Sequence, residues 1–163
     1  AMASINYVDE LNRHYGSIGF PPYKWTVNES APLTPLDKAL QSCRVTTLTS
    51  GGVSHCSMPG FDADARNDHR LDAVGREADS KDFEINDSYY NHDDANQDIN
   101  CVFPIDRLRE LQTDGLIGEV APRFWSGFMG RIYDRTRLVN ESIPAFIREL
   151  RQDEIDILVT APA

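Results

Sequence analysis

The chain has 163 residues and carries 26 acidic against 16 basic side chains, a formal net charge of -10 at pH 7. That length suits one domain with a real core, and so acidic a surface repels phosphate backbones and anionic lipid, which excludes nucleic acid and membrane as first partners. No window approaches the roughly 18 uninterrupted apolar residues of a spanning helix, and the first residues lack the blocks of a secretion signal, so a soluble, cytoplasmic protein is expected.

Cys43, Cys56 and Cys101 cannot all pair within one chain, and none sits in a C-x-x-C arrangement. This favours a reducing compartment over a disulfide framework. The division expected is residues 1–42, a short N-terminal helix and an extended arm, followed by residues 43–163, an α/β domain. The arm carries Tyr7, Tyr15, Phe20, Tyr23 and Trp25 together with Pro21, Pro22, Pro32 and Pro35. The prolines rule out a long helix after about Phe20, and the rings are expected to lie on the main domain or in a subunit interface.

Residues 44–50 are mostly β-branched and run into Gly51 and Gly52, the pattern of a strand ending in a glycine turn. The loop at the carboxyl end of a parallel strand is the usual place for a ligand, so residues 51–59, with His55 and Cys56, form a candidate site loop. Residues 61–100 are acidic and show no fixed apolar period. They read as an irregular excursion, with one extended strand over residues 82–90.

Order returns at Pro104, which suits a first helical turn. Ile105, Leu108 and Leu111 repeat on one face, and Gly115 supplies a left-handed stop. Residues 116–121 read as a short strand, residues 124–130 as a Gly-rich aromatic segment, and residues 136–152 as a helix with Leu138, Val139, Phe146, Ile147 and Leu150 on its face. Pro144 is expected to kink or split that helix. Residues 155–160 read as a buried strand.

Three blocks occur in order: Tyr90, Asn91, His92, Asp93 and Asp94 with Gln97, Asp98, Ile99 and Asn100; then residues 103–111, F-P-I-D-R-L-R-E-L, with G-L-I-G at 115–118; then Ala121, Pro122 and Arg123 with Phe128, Met129 and Gly130. Together they resemble the selenoprotein B family, the substrate-side subunits of glycine, sarcosine and betaine reductases with a subunit of D-proline reductase. The resemblance covers residues 43–163 and fits a Rossmann-like or flavodoxin-like three-layer α/β fold with a partly parallel sheet.

The resemblance implies an oxidoreductase component that cleaves a carbon–nitrogen bond of an amino-acid-like or betaine-like small molecule, beside a partner reductase subunit and with no bound cofactor. In the family, the strand matching residues 155–160 leads at once into a Cys or selenocysteine two residues ahead of a second Cys. The sequence ends at Ala163, so the resemblance implies a chain truncated before that redox group, at a selenocysteine codon or as a short paralogue, and inactive alone. The uncovered sheet face is then expected to make it a homo-oligomer.

Such chemistry needs a low-pKa chalcogen nucleophile, recognition of a cationic amine and recognition of a carboxylate. His92 with Asp93, and Asp98 with Asn100, form the densest polar cluster and read as an acid–base or substrate-orienting group; the alternative is a loop that caps the Pro104 helix. Their spacing matches no zinc or EF-hand pattern, so no metal is assigned, although a small metal-dependent lyase or hydrolase centred on His92 stays open. Cys56 is a candidate thiol beside His55, against an idle Cys. Cys43 and Cys101 read as core. Backbone N–H groups of Gly51 and Gly52 can receive a carboxylate, and Phe128 can wall an amine pocket or simply pack. The rival of another class is a non-catalytic scaffold subunit of the same fold.

Overall fold

The computed structural model describes residues 6–22, 29–30 and 34–161. They fall in two compact units, Ala1–Pro35 and Leu36–Ala163. In the first, helix α1 (Tyr7–Ser17) is followed by a turn in which Tyr15 and Phe20 meet edge to face at 5.9 Å. Tyr23, Trp25 and Pro32 of the expected arm lie outside the described residues.

The second unit is organised by strand β1 (Arg44–Thr49). After it come β2 (Val53–His55), β3 (Leu71–Gly75), β4 (Phe83–Ile85), helix α2 (Asp93–Gln97), helix α3 (Ile105–Thr113), β5 (Glu119–Val120) and β6 (Arg123–Gly127). The last elements are α4 (Arg135–Arg137), a π-helical turn Leu138–Ser142, α5 (Ile143–Gln152) and β7 (Ile157–Ala161).

β1 is parallel to all three neighbours that touch it. On one side Val45 pairs with Val120 of β5 and Leu48 with Trp125 of β6; on the other Val45 pairs with Ile157 and Thr49 with Ala161 of β7. β3 closes the far edge antiparallel to β6, and β2 with β4 forms a separate two-stranded ribbon. The carboxyl ends of β1, β6 and β7 therefore open on one edge of the sheet, the mixed and partly parallel architecture expected.

The period of two sends alternate side chains to opposite faces. Val45 and Phe124 join Phe103, Ile105, Leu108, Val120 and Val53 in the main core. On the opposite face Trp125 meets Phe146 of α5 at 5.1 Å. Arg123 reinforces this contact by binding Asp153 and Glu149, each at 2.8 Å. Helices on both faces make three layers, which is why β1 reads as a nearly uninterrupted β-branched run.

Several expectations are corrected. The stretch 61–100 is not one irregular excursion: β3 and β4 lie in it, and the strand expected over 82–90 shrinks to three residues. The aromatic segment 124–130 is largely β6, buried from Phe124 to Gly127, so no alternation marks it. The site loop 51–59 contains β2. The strand read as buried is the edge strand β7, with Val159 36% exposed. Leu111 lies on the solvent side of α3, as do Val139 and Ile147 along the later helical stretch, where Phe146 is the buried residue. The stretch expected as one helix is divided into α4, the π turn and α5, with Pro144 in the first turn of α5, where a ring that has no N–H to donate is accommodated. Cys101 is exposed rather than core, while Cys43 is buried.

Gly115 sits at φ +69 after α3, the left-handed stop expected of it. Among the described residues no helix is long and apolar enough to cross a membrane. Leu108, 5% exposed in the core cluster, sets the test of α3: Leu108→Ala should cost about 2 to 5 kcal/mol in urea unfolding, and Leu111→Ala clearly less. Equal costs would show that the two faces of α3 are assigned wrongly.

Candidate functional site

β1 leaves the sheet through two glycines, and the second is required by space. Gly52 has φ +65, and a Cβ on it would lie 2.6 Å from the Asn86 carbonyl oxygen. The same contact is a hydrogen bond in the other direction, because the Asn86 N–H donates to the Gly52 carbonyl at 2.8 Å. Next to it Val53 of β2 pairs with Ile85 of β4. The exit of β4 is thereby fastened to the exit of β1, and whatever follows Asn86 must lie over the carboxyl edge of the sheet.

Asp87, Tyr89, Tyr90 and His92 follow. Asp87 is 8% exposed, and its Oδ1 accepts from the Tyr89 N–H at 2.7 Å. The Tyr90 hydroxyl donates to the Gly51 carbonyl at 2.9 Å, and its ring meets the His92 ring edge on at 5.7 Å. Arg131, beyond the end of β6, lays its guanidinium 4.2 Å from the centre of the Tyr89 ring. Two buried hydroxyls on the strands flanking the glycine turn, Thr47 Oγ1 and Ser54 Oγ, have no protein hydrogen-bond partner among the described residues.

The electrostatics mark the same place. Burial pushes the Asp87 carboxyl above its ordinary value, opposed by a backbone N–H and by the nearby charges of His92 and Arg131. Tyr90 is pushed up to about 12, first by burial and then by the negative charge of Asp87. A buried acid beside a His, a Tyr and an Arg at the mouth of parallel strands is the arrangement in which protons and small polar molecules are handled.

The residues expected from sequence divide between this cluster and the scaffold. Gly51, Gly52 and His92 belong to the cluster. His92 Nδ1 pairs with Asn96 at 2.9 Å rather than with Asp93 or Asp98. Asp93 is exposed on α2. Asp98 is exposed and accepts from the backbone and side chain of Asn100, which hold it below the usual carboxylate range. Asn100 in turn accepts from the Asp106 N–H at 2.9 Å and donates to the Asp106 carboxylate at 3.0 Å, fastening the turn before α3 to its first residues. This is the capping arrangement. Cys56 is exposed on the far side of β2, its N–H donating to Asp82, while His55 pairs with Ser57 and Phe83. The Phe128 ring goes to Phe146, at 6.0 Å.

Among the described residues no three His, Cys, Asp or Glu side chains converge as metal ligands, which leaves the lyase or hydrolase alternative without a ligand set. One surface groove lies at the amino ends of the strands, lined by Lys38, Arg44, Glu119 and Asp156, which are joined there in ion pairs. Asp87 and Arg131 were illegible as site residues. Asp87 sits in an Asp-Ser-Tyr-Tyr run that reads as turn, and Arg131 merely ends an aromatic segment; the usable signal was an acid placed directly after the strand-like F-E-I-N.

A family model described as glycine/sarcosine/betaine reductase selenoprotein B matches residues 22–163, starting well ahead of Cys43. The D-proline reductase subunit gamma of Acetoanaerobium sticklandii is 32% identical over 142 residues, which cover 86% of this chain and 54% of that protein. The chain thus spans about half the length of that relative. No solved structure matches.

Two outcomes test the geometry. Gly52→Ala should destabilise by about 1 to 2 kcal/mol from its left-handed backbone alone, with the clash on Asn86 added; a neutral effect in thermal melting would show that the two strand exits are not fastened there. For Asp87, burial raises the folded pKa above the unfolded one, so the folded state penalises the ionised form. That penalty is absent below the unfolded pKa, grows as pH rises through the folded pKa, and is full above it. Asp87→Asn should therefore melt higher than the parent protein at neutral pH, with the gap closing in acid; a variant that melts lower by the same amount at every pH would make Asp87 a structural acceptor instead.

Proposed function

The chain belongs to the glycine/sarcosine/betaine reductase selenoprotein B family, and from that premise we propose that it is the substrate-side part of a selenol- or thiol-dependent reductase for an amino-acid-like or betaine-like molecule. The reading is supported by the similarity to a subunit of D-proline reductase, which also favours a partner subunit in the working enzyme. The observation that carries it is the buried Asp87 at the carboxyl edge of the sheet, with His92 and Arg131 close enough to act on its charge.

The net reaction consumes a dithiol or selenol–thiol pair. The carbon–nitrogen bond breaks, the carbon gains one hydrogen, the second proton goes to the freed nitrogen or, where that nitrogen was quaternary, to solvent, and the two chalcogens end joined as a disulfide or selenenyl sulfide. The pair is assigned to another part of the enzyme, for Cys43 is buried in the core, Cys56 is exposed after β2, and Cys101 is exposed with its Sγ toward the Asp94 carbonyl. This chain binds and orients. Asp87, shielded from water, offers its negative charge to the cationic nitrogen, where a low local dielectric strengthens the attraction. His92 moves a proton to the leaving amine. Tyr90 fixes the Gly51 carbonyl and the His92 ring, so it positions rather than titrates.

Calorimetric titration of the protein with D-proline, glycine and betaine checks this reading. Binding of one of them is expected, weakened at least about tenfold by Asp87→Asn, in line with the loss of a charge-assisted contact. His92→Gln should leave that affinity nearly unchanged and, in the complete enzyme, lower turnover with a shifted pH profile. Absence of binding for all three would favour the scaffold reading.

A further inference from the structure

Five described arginines are partly buried: Arg44, Arg70, Arg109, Arg123 and Arg131. Four hold a carboxylate at hydrogen-bond distance, Glu119 at 3.0 Å, Asp72 at 2.6 Å, Asp106 at 2.6 Å and Asp153 at 2.8 Å. Arg131 differs. Its nearest acid, Asp64, is 3.9 Å away with a side chain that is 90% exposed, and its Nη1 donates only to the Asp64 carbonyl, at 3.1 Å. Among the described residues Nε and Nη2 have no hydrogen-bond partner. A half-buried guanidinium that lacks a close counter-ion is unfavourable unless something else occupies it.

The backbone holds this cation in place against its own preferences. Arg131 has φ 63, Phe128 φ 52 and Asn67 φ 54, so three of the four non-glycine residues with positive φ among the described residues meet at the end of β6. Residues in such conformations persist only where the surroundings over-determine them, and they gather at ligand clamps. Here Asn67 is the fastener. Its N–H donates to the Arg131 carbonyl at 3.0 Å, and its Oδ1 accepts from the N–H groups of Tyr133 and Asp134 at 2.6 and 2.7 Å. Beneath the guanidinium, the Tyr89 ring at 4.2 Å supplies a cation–π contact without consuming its donors.

Tyr89 is also the residue whose N–H binds Asp87. The short stretch from Asp87 to Tyr89 therefore presents a buried anion and carries a cation with two unused donors on the same edge of the sheet. We propose that Arg131 is the anion-recognition residue of this site, presenting its guanidinium to the carboxylate of a small zwitterion whose cationic nitrogen faces Asp87. A planar guanidinium with two free donors matches a carboxylate in the bidentate manner that a lysine cannot reproduce. The inference rests on the reading of the site as one for an amino-acid-like molecule, and it adds which end of that molecule each charge receives.

The test follows the arginine Nε–H resonances of 15N-labelled protein during titration with D-proline, with D-prolinamide, which lacks the carboxylate charge, and with acetate. D-proline and acetate should shift the Arg131 resonance, and D-prolinamide should leave it in place. Arg131→Gln should weaken D-proline at least about tenfold without changing D-prolinamide, and Arg131→Lys should recover part of the loss. Should Arg131→Gln fail to fold, the parent protein's titration and Arg131→Lys decide alone. Unchanged D-proline affinity in Arg131→Gln, or an Arg131 resonance that neither carboxylate moves, overturns the proposal. Acetate moving Arg131 while D-proline fails to bind supports the anion site and overturns the amino-acid reading beneath it.

Discussion

The close approach of Gly52 to Asn86 is the constraint on which the rest of the site depends. Two strands that belong to different sheets, β1 and β4, end within hydrogen-bond distance of one another because one of them ends in a residue with no side chain. Asp87, Tyr90 and His92 all follow within a few residues of that contact. Asp87 is buried because the chain has just been pinned to the sheet edge. Tyr90 reaches Gly51 for the same reason, and His92 is placed through Tyr90. A methyl group at position 52 would press on main chain, which has no rotamer to yield.

The sheet explains why this edge carries the polar groups. With β6 and β7 both parallel to β1, backbone direction alone gathers their three carboxyl ends on one side. The opposite edge is occupied by ion pairs: Arg44 with Glu119 and Glu154, Lys38 with Asp156. Those pairs hold the amino ends of the strands together. The net charge of -10 further restricts what the other edge can receive. A simple anion approaches against the mean field, whereas a zwitterion, with no net charge, does not.

What was legible in the sequence was whatever local chemistry fixes. β1 was readable because its β-branched run stops at two glycines, and α3 because Pro104, the spacing of Ile105 and Leu108, and Gly115 agree with one another. β6 was not, since Arg123 to Gly127 is covered on both faces and has no alternation to show. β3 was hidden by Asp72, an acid in a strand, which is tolerable there because Arg70 binds it with two nitrogens. The site was half legible. His92 and the glycines stood out by type, and the family blocks fell on His92, Asp98 and Asn100, but Asp98 and Asn100 turn to α3 and the buried acid is a neighbour that resembles any turn aspartate. Burial of a polar residue is a tertiary property, and nothing in the period of the chain announces it.

The central position of β1 also governs the order in which the molecule can form. Arg44 meets Asp156, 112 residues along the chain, and its pairing with β5 spans 75 residues. A strand emerging early from the ribosome thus waits for partners made much later, and long loops must close before any parallel ladder rewards them. During that interval the run Val45 to Thr49 is an unpaired β-branched segment with two free edges, the kind that finds other chains. The hub of the finished sheet is the most vulnerable stretch of the nascent one, and its three threonines and serine, from Thr46 to Ser50, keep that stretch wetter than its shape would suggest.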